Sequence, residues 1–172
     1  MKNKIKGLDL LLNNDFTKPY VQIFNNINSI DKTNIIWNII ENLELTTLIF
    51  TRKKCKGAFI RDMLKNKMNI SDNKFNTLDL SANEWQELSN IICKLAYKPI
   101  YTVSYDYKNI SSIEQHCKSL KECKNLDLVI IDFSQYWYNS QKEYIKKRLV
   151  AIAEELNIAI ILLNIEVENE KE

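Results

Sequence analysis

The sequence predicts an α/β fold built on a largely parallel sheet, and three observations carry that expectation. Apolar runs of strand length alternate with segments of helical periodicity along most of the chain. Two of the runs, Leu126–Asp132 and Ile158–Leu163, are nearly continuously apolar, as strands covered on both faces must be. An earlier run, Val21-Gln22-Ile23-Phe24, leads into a Lys-Thr pair and then a helical pattern, the strand–loop–helix order of a phosphate-binding loop. Parallel neighbours need crossover connections, so right-handed helical crossovers are expected between the strands.

The elements follow in order. Met1–Lys6 is basic but lacks the apolar stretch of a signal peptide, and no run approaches a membrane-spanning length. A cytoplasmic protein with no membrane partner is therefore expected. After the strand Tyr20–Phe24 comes Asn26-Ile27-Asn28-Ser29-Ile30-Asp31-Lys32-Thr33. It keeps the terminal Lys-Thr of G-x-x-x-x-G-K-[ST], with Asn26 and Asp31 where that pattern has glycine. In an intact loop, successive backbone N–H groups curl around the phosphates, and glycine permits the curl and the close approach. Ile35, Ile36, Ile39, Ile40 and Leu43 then mark a helix. Asp31 reads either as a charge intruding on the phosphate site or as that helix's N-cap, with Lys32 exposed.

Further strands are expected at Thr47–Thr51 and Ile100–Val103. Ser81-Ala82-Asn83-Glu84 is a capping box opening a helix with Trp85, Leu88, Ile92 and Leu95 on one face. Ser111-Ser112-Ile113-Glu114 reads as a second box, followed by Cys117 and Leu120 on an apolar face. Ile145, Leu149, Ile152, Ala153 and Leu156 mark the clearest helix, ending near Asn157. The acidic tail, 166–172, is expected to fray. A single domain over 1–172 is expected, with 1–19 as an entry segment.

Composition narrows the function. Hydrophobic residues make up 45% and charged residues 27%, ordinary for a globular protein. The net charge of +2 does not by itself imply nucleic-acid binding. Lysine clusters at Lys53, Lys54, Lys56 and at Lys146, Lys147, Arg148 read as solvated faces. Only Gly7 and Gly57 are glycine, well below the usual share of about 7%, and that shortage bears on any phosphate loop. Cys55, Cys93, Cys117 and Cys123 form no C-x-x-C pair and read as reduced thiols rather than zinc ligands. The aromatics Tyr101, Tyr105, Tyr107, Tyr136 and Trp137, with Gln135, read as packing or surface residues rather than base stackers.

The second half-motif is Leu126-Asp127-Leu128-Val129-Ile130-Ile131-Asp132. An apolar strand ending in aspartate sets a carboxylate at the carboxyl edge of the sheet, where it can hold Mg²⁺ through water beside a phosphate loop. Asp132 is thus the candidate metal ligand, or a strand-end residue without metal.

Taken together, these segments resemble the C-terminal, RecA-like ATPase domain of DnaB-type replicative helicases. Lys4–Phe16, with Gly7-Leu8-Asp9, is similar to that family's entry segment. Asn26–Thr33 takes the place of A-R-P-S-M-G-K-T, matching at Ser29, Lys32 and Thr33. Thr47–Lys54 takes the place of V-L-I-F-S-L-E-M. Leu78-Asp79 and Trp85 resemble an L-x-x-x-x-W stretch, and Asp132–Tyr136 resembles D-Y-L-Q-L. Leu149–Leu163 resembles L-K-x-L-A-K-E-L-N-V-P-V-V-x-L. The resemblance implies a P-loop NTPase-type, RecA-like three-layer sandwich with a mainly parallel central sheet.

The departures from the family carry the functional expectation. Lys53 stands where the family's catalytic glutamate activates water, and a protonated lysine cannot accept that proton. Ile165 takes the place of the glutamine that senses the γ-phosphate. The family's later segment, with its arginine finger, is expected to be missing, as is a primase-binding N-terminal domain. A carboxylate at Asp31 about 4 Å from a phosphate charge costs roughly 4 kcal/mol at an effective dielectric near 20, about a thousandfold in affinity. Losing the base removes on the order of 10²–10⁴ in rate, and losing the finger roughly 10³–10⁵.

The resemblance therefore implies an inactive module in DNA replication, with no cofactor, docking on a replicative helicase or a helicase loader. One alternative is a minimal ATPase that binds Mg-ATP through a degenerate loop (Ser29, Asp31, Lys32, Thr33) with Asp132 and is completed by a partner. Another is a decayed helicase remnant. A weak single-stranded DNA contact is a separate expectation.

Overall fold

The computed structural model describes residues 16, 18–25, 29–51, 53, 55–104, 109–134 and 141–165. Five strands, β1 (Tyr20–Phe24), β2 (Thr47–Thr51), β3 (Ile100–Ser104), β4 (Leu128–Ser134) and β5 (Ala159–Ile165), form one sheet in the order β1-β5-β4-β2-β3. Every neighbouring pair is parallel. The helices are α1 (Ser29–Asn42), α2 (Lys56–Met68), α3 (Asp72–Thr77), α4 (Ala82–Ala96), α5 (Ile110–Lys124) and α6 (Lys142–Leu156).

Alternate side chains of each strand feed two separate cores, because successive residues point to opposite faces. Ile49, Leu128, Ile130, Ile161 and Leu163 pack on one face with Ile35, Ile36, Ile39 and Ile40 of α1, Phe59 and Met63 of α2, and Leu88 and Ile91 of α4. Leu48, Phe50, Val129, Ile131, Ile160 and Leu162 pack on the other with Ile113 and Cys117 of α5 and Leu149 and Ile152 of α6. Connections that move the chain from β1 towards β3 carry their helices on the first face, and those that move it back carry theirs on the second. That sorting is what right-handed crossovers produce. The reversal falls between β4 and β2, so the switch point of the sheet opens at the carboxyl ends of those two strands.

The strand boundaries expected from sequence hold within two residues, and Leu126–Asp132 shifts forward to β4. Asp127 precedes that strand because its carboxylate accepts the Thr46 backbone N–H at 2.9 Å. The box at Ser81 forms as expected, with Ser81 and Glu84 exchanging bonds between side chain and backbone. The box at Ser111 does not form. Asn109 is the N-cap of α5 and accepts from the Ser111 N–H at 3.0 Å. Helix α5 thus starts early enough to bury Ile110, and Glu114 is left to pair with Arg148 and Lys118.

Helix α4 buries Leu88 and Ile91, while Trp85 and Ile92 stay 42% and 47% exposed. Its apolar arc spans about 120° at 100° per residue, and the neighbouring helices cover only part of it. Cys117 lies in the second core as expected, and burial pushes its thiol up to about 12.

Among the described residues, four non-glycine residues have positive φ, and each caps a helix C-terminus: Asn69, Leu78, Asn125 and Asn157, at 52°, 56°, 53° and 49°. Among the described residues, no helix is long and apolar enough to cross a membrane.

Candidate functional site

Helix α1 opens behind the carboxyl end of β1, and its fourth residue is Lys32. Across the sheet, β4 brings Asp132 to the same edge, beside Leu163 of β5. The two half-motifs meet there: the Lys32 ammonium donates to Asp132 Oδ2 at 2.9 Å. The pair is withdrawn from water, with side chains 16% and 6% exposed. The other carboxylate oxygen, Oδ1, is buried and has no hydrogen-bond partner among the described residues. A buried acceptor left unpaired costs about 1–3 kcal/mol, more when charged.

Lys53 follows β2 on the facing side of the cleft. Buried Thr51 fixes the turn, its hydroxyl accepting the Lys53 N–H at 3.2 Å. The Lys53 ammonium pairs with Asp62 of α2. Lys65, one turn on, lies 3.5 Å from Asp62 and also pairs with Asp72. Burial pushes the Asp62 carboxyl up, but the Lys53 hydrogen bond and the two lysine charges outweigh it, so its pKa falls below the usual carboxylate range. Bonding to Asp72 holds the Lys65 ammonium above its ordinary value. The amide of Asn66 donates to the Thr33 hydroxyl at 3.2 Å.

These groups line a cleft of about 320 Å³ at the switch point of the sheet, together with Ile36, Phe59 and Met63. Three lysines (32, 53, 65) and two aspartates (62, 132) face it, a net charge of +1. The donor set fits a hydrated magnesium ion: Asp132 Oδ1 is a carboxylate oxygen without a partner among the described residues, and the Thr33 hydroxyl stands on the same wall. Asp132 and Thr33 would hold the ion, which supplies positive charge to a phosphate chain.

The structure thus brings together Lys32, Thr33, Lys53 and Asp132 of the residues singled out from sequence. Lys32 is paired and largely buried, against the expectation of an exposed lysine behind a capping aspartate. Asp31 is the third residue of α1 and not its N-cap, because the helix starts at Ser29. The side chains of Ser29 and Asp31, and the whole of Asn26, lie outside the described residues. Ile165 closes β5 opposite Ser134, at the same edge, with its side chain outside them too. Tyr105, Tyr107, Gln135, Tyr136, Trp137 and the tail at 166–172 also lie outside. Asp62, Lys65 and Asn66 join the site without having been expected from sequence. They share one face of α2 at spacings of three and four, and that periodicity is the only signal for them.

The geometry has parallels in known proteins. The family model for the DnaB-like helicase C terminal domain matches residues 2–171. The chain belongs to that family. The replicative DNA helicase DnaB of Geobacillus stearothermophilus is 27% identical over 149 residues, which are 79% of this chain and 33% of that protein. The replicative DNA helicase DnaC of Bacillus subtilis (strain 168) matches with the same identity and coverage. The chain spans about a third of the length of these curated relatives. Among solved structures, an ATPase domain superposes with a TM-score of 0.70 at 18% identity, covering 88% of this chain and 58% of that one. A DnaB-like replicative helicase, described with its interactions with primase, gives 0.69 at 17% identity, covering 88% and 40%. The fold is therefore the RecA-like ATPase fold of DnaB-like replicative helicase domains.

Proposed function

We propose that this chain is a non-hydrolysing DnaB-like domain that acts as a binding or regulatory module in DNA replication. Its partner in this reading is a replicative helicase or a helicase loader. The observation that carries the proposal is Lys53. Where the resemblance expects a carboxylate to take a proton from water, the cleft presents an ammonium tied to Asp62. An ammonium has three donors and no acceptor, so it cannot serve as that base. Asp62 is engaged by Lys53 and Lys65, and Asp132 is engaged by Lys32 through Oδ2.

The unpartnered Asp132 Oδ1 and its neighbour Lys32 favour a second reading, a minimal domain that binds Mg-ATP and is completed by a partner. Calorimetric titration separates the two. The protein is titrated with Mg-ATP, Mg-ADP and single-stranded DNA, alone and with the host replicative helicase. Binding to the helicase without nucleotide is the expected result. ATP turnover near 1 s⁻¹, at the low end of the ordinary enzyme range, that disappears in Lys32→Ala would sink the non-hydrolysing reading.

A further inference from the structure

The three ammonium groups that line the cleft are all held by carboxylates of the same chain, Lys65 by Asp62 and Asp72. Lys32 is held by Asp132 at 2.9 Å, in a pair with 16% and 6% exposure. Lys53 is held by Asp62, with 50% and 31% exposure. We propose that the cleft is self-inhibited towards phosphate: Asp132 competes with an incoming polyphosphate chain for Lys32, and Asp62 competes for Lys53.

The inference rests on reading the cleft as phosphate-facing, and it assigns Asp132 a role opposite to that of a simple supporting ligand. Without a metal, its negative charge subtracts from anion affinity twice, by occupying Lys32 and by repelling the phosphate oxygens. The cleft's described charge is +1 with Asp132 ionised and +2 with an amide in its place, and Lys32 is then released. Asp132 also gains little from the exchange as it stands. Only one of its oxygens is satisfied by Lys32, and the other is buried without a partner among the described residues. A cation on Oδ1 would meet that need and weaken the hold on Lys32. Metal and phosphate are then expected to bind together more readily than either binds alone.

The ligand class follows from the geometry. Both cations line one space of about 320 Å³, which suits a chain of phosphates that reaches Lys32 and Lys53 together. A single phosphate cannot displace both internal carboxylates at once.

The test is made on the full chain in EDTA at low salt, by calorimetry, with sodium tripolyphosphate and ATP as separate probes. Two charges about 4 Å apart at an effective dielectric near 20 correspond to about a thousandfold. Water at the cleft mouth reduces this, so the expected gain for Asp132→Asn over wild type is at least about tenfold. Adding Lys32→Met to Asp132→Asn should abolish the gain. Asp62→Asn should give a smaller gain, because the Lys53 pair is more exposed.

A gain with tripolyphosphate and ATP alike assigns recognition to the phosphate chain. A gain with ATP alone, still dependent on Lys32, assigns the competitor's role to a nucleotide site. Equal or weaker binding by folded Asp132→Asn overturns the proposal, as does a gain that survives Lys32→Met. If Asp132→Asn does not fold, Asp62→Asn decides alone, and no gain there overturns the proposal. ATP turnover by the wild type would refute the non-hydrolysing reading but leave this metal-free comparison intact.

Discussion

The two walls of the cleft hold the same kind of ion pair in different surroundings. On the β4 wall, Lys32 and Asp132 come from residues a hundred positions apart, are withdrawn from water, and leave one carboxylate oxygen unsatisfied. On the β2 wall, Lys53 and Asp62 are neighbours in sequence, half in solvent, and Asp62 has a second lysine at hand. Both pairs need the fold, the first to bring a helix and a distant strand together and the second to dock the helix that carries Asp62. The wall that a phosphate loop and strand-end aspartate would build is kept in place by the sheet. The other wall presents the Lys53 ammonium, tied to Asp62. The contrast is one of burial and pairing: one pair is held inside the fold and the other stands half in water.

That contrast can be broken by substitution. The largest expected effect is at the loop, where Asp31→Gly removes a charge and a restriction on backbone conformation together. It should raise Mg-ATP affinity by up to about a thousandfold, from the Coulomb energy of a carboxylate about 4 Å from phosphate. Hydrolysis should stay absent because Lys53 is untouched. Undetectable nucleotide binding by a folded Asp31→Gly protein would mean that something other than this charge closes the cleft.

Next comes stability. Lys32→Ala strands a largely buried carboxylate, a loss of about 3–5 kcal/mol in fully buried pairs, reduced here to about 2–3 kcal/mol by the partial exposure of Lys32. Lys53→Ala should cost under about 1 kcal/mol, as for exposed pairs. Urea unfolding with a constant m-value measures both. Equal losses would erase the distinction between the walls.

The smallest effect is a difference in thiol labelling on the native protein. Cys55, Cys93 and Cys123 are exposed and should react promptly, while Cys117, with its raised pKa in the second core, should react only on unfolding. Prompt labelling of all four would show that the α5–α6 face opens readily.

Much of the sheet and half of the cleft are legible in the amino-acid sequence alone. The strands stand out because burial on both faces demands unbroken apolar runs, and Lys32 and Asp132 stand out because each ends a recognisable half-motif. Asp62 is not legible. In α2, the charges of Lys56, Arg61, Asp62, Lys65 and Lys67 mask the apolar spacing of Phe59, Ile60, Met63 and Leu64. The partner of Lys53 is fixed only when the helix docks. Trp85 and Leu88 have equal claims to burial in sequence, and the reach of the neighbouring helices decides between them. The start of α5 is misread from sequence because two capping residues compete there, and the burial of Ile110 tips the choice to Asn109.

Helix endings bear on how the loop at 26–33 is to be judged. Three of the four left-handed residues are asparagines, at 69, 125 and 157, where glycine is the common choice. Asparagine enters that region more readily than other residues with a side chain. At these three helix ends asparagine does the conformational work that glycine commonly does. A shortage of glycine is therefore by itself a weak measure of which backbone conformations a chain can reach. Asp31 is the substitution on which selection for or against nucleotide would leave its mark.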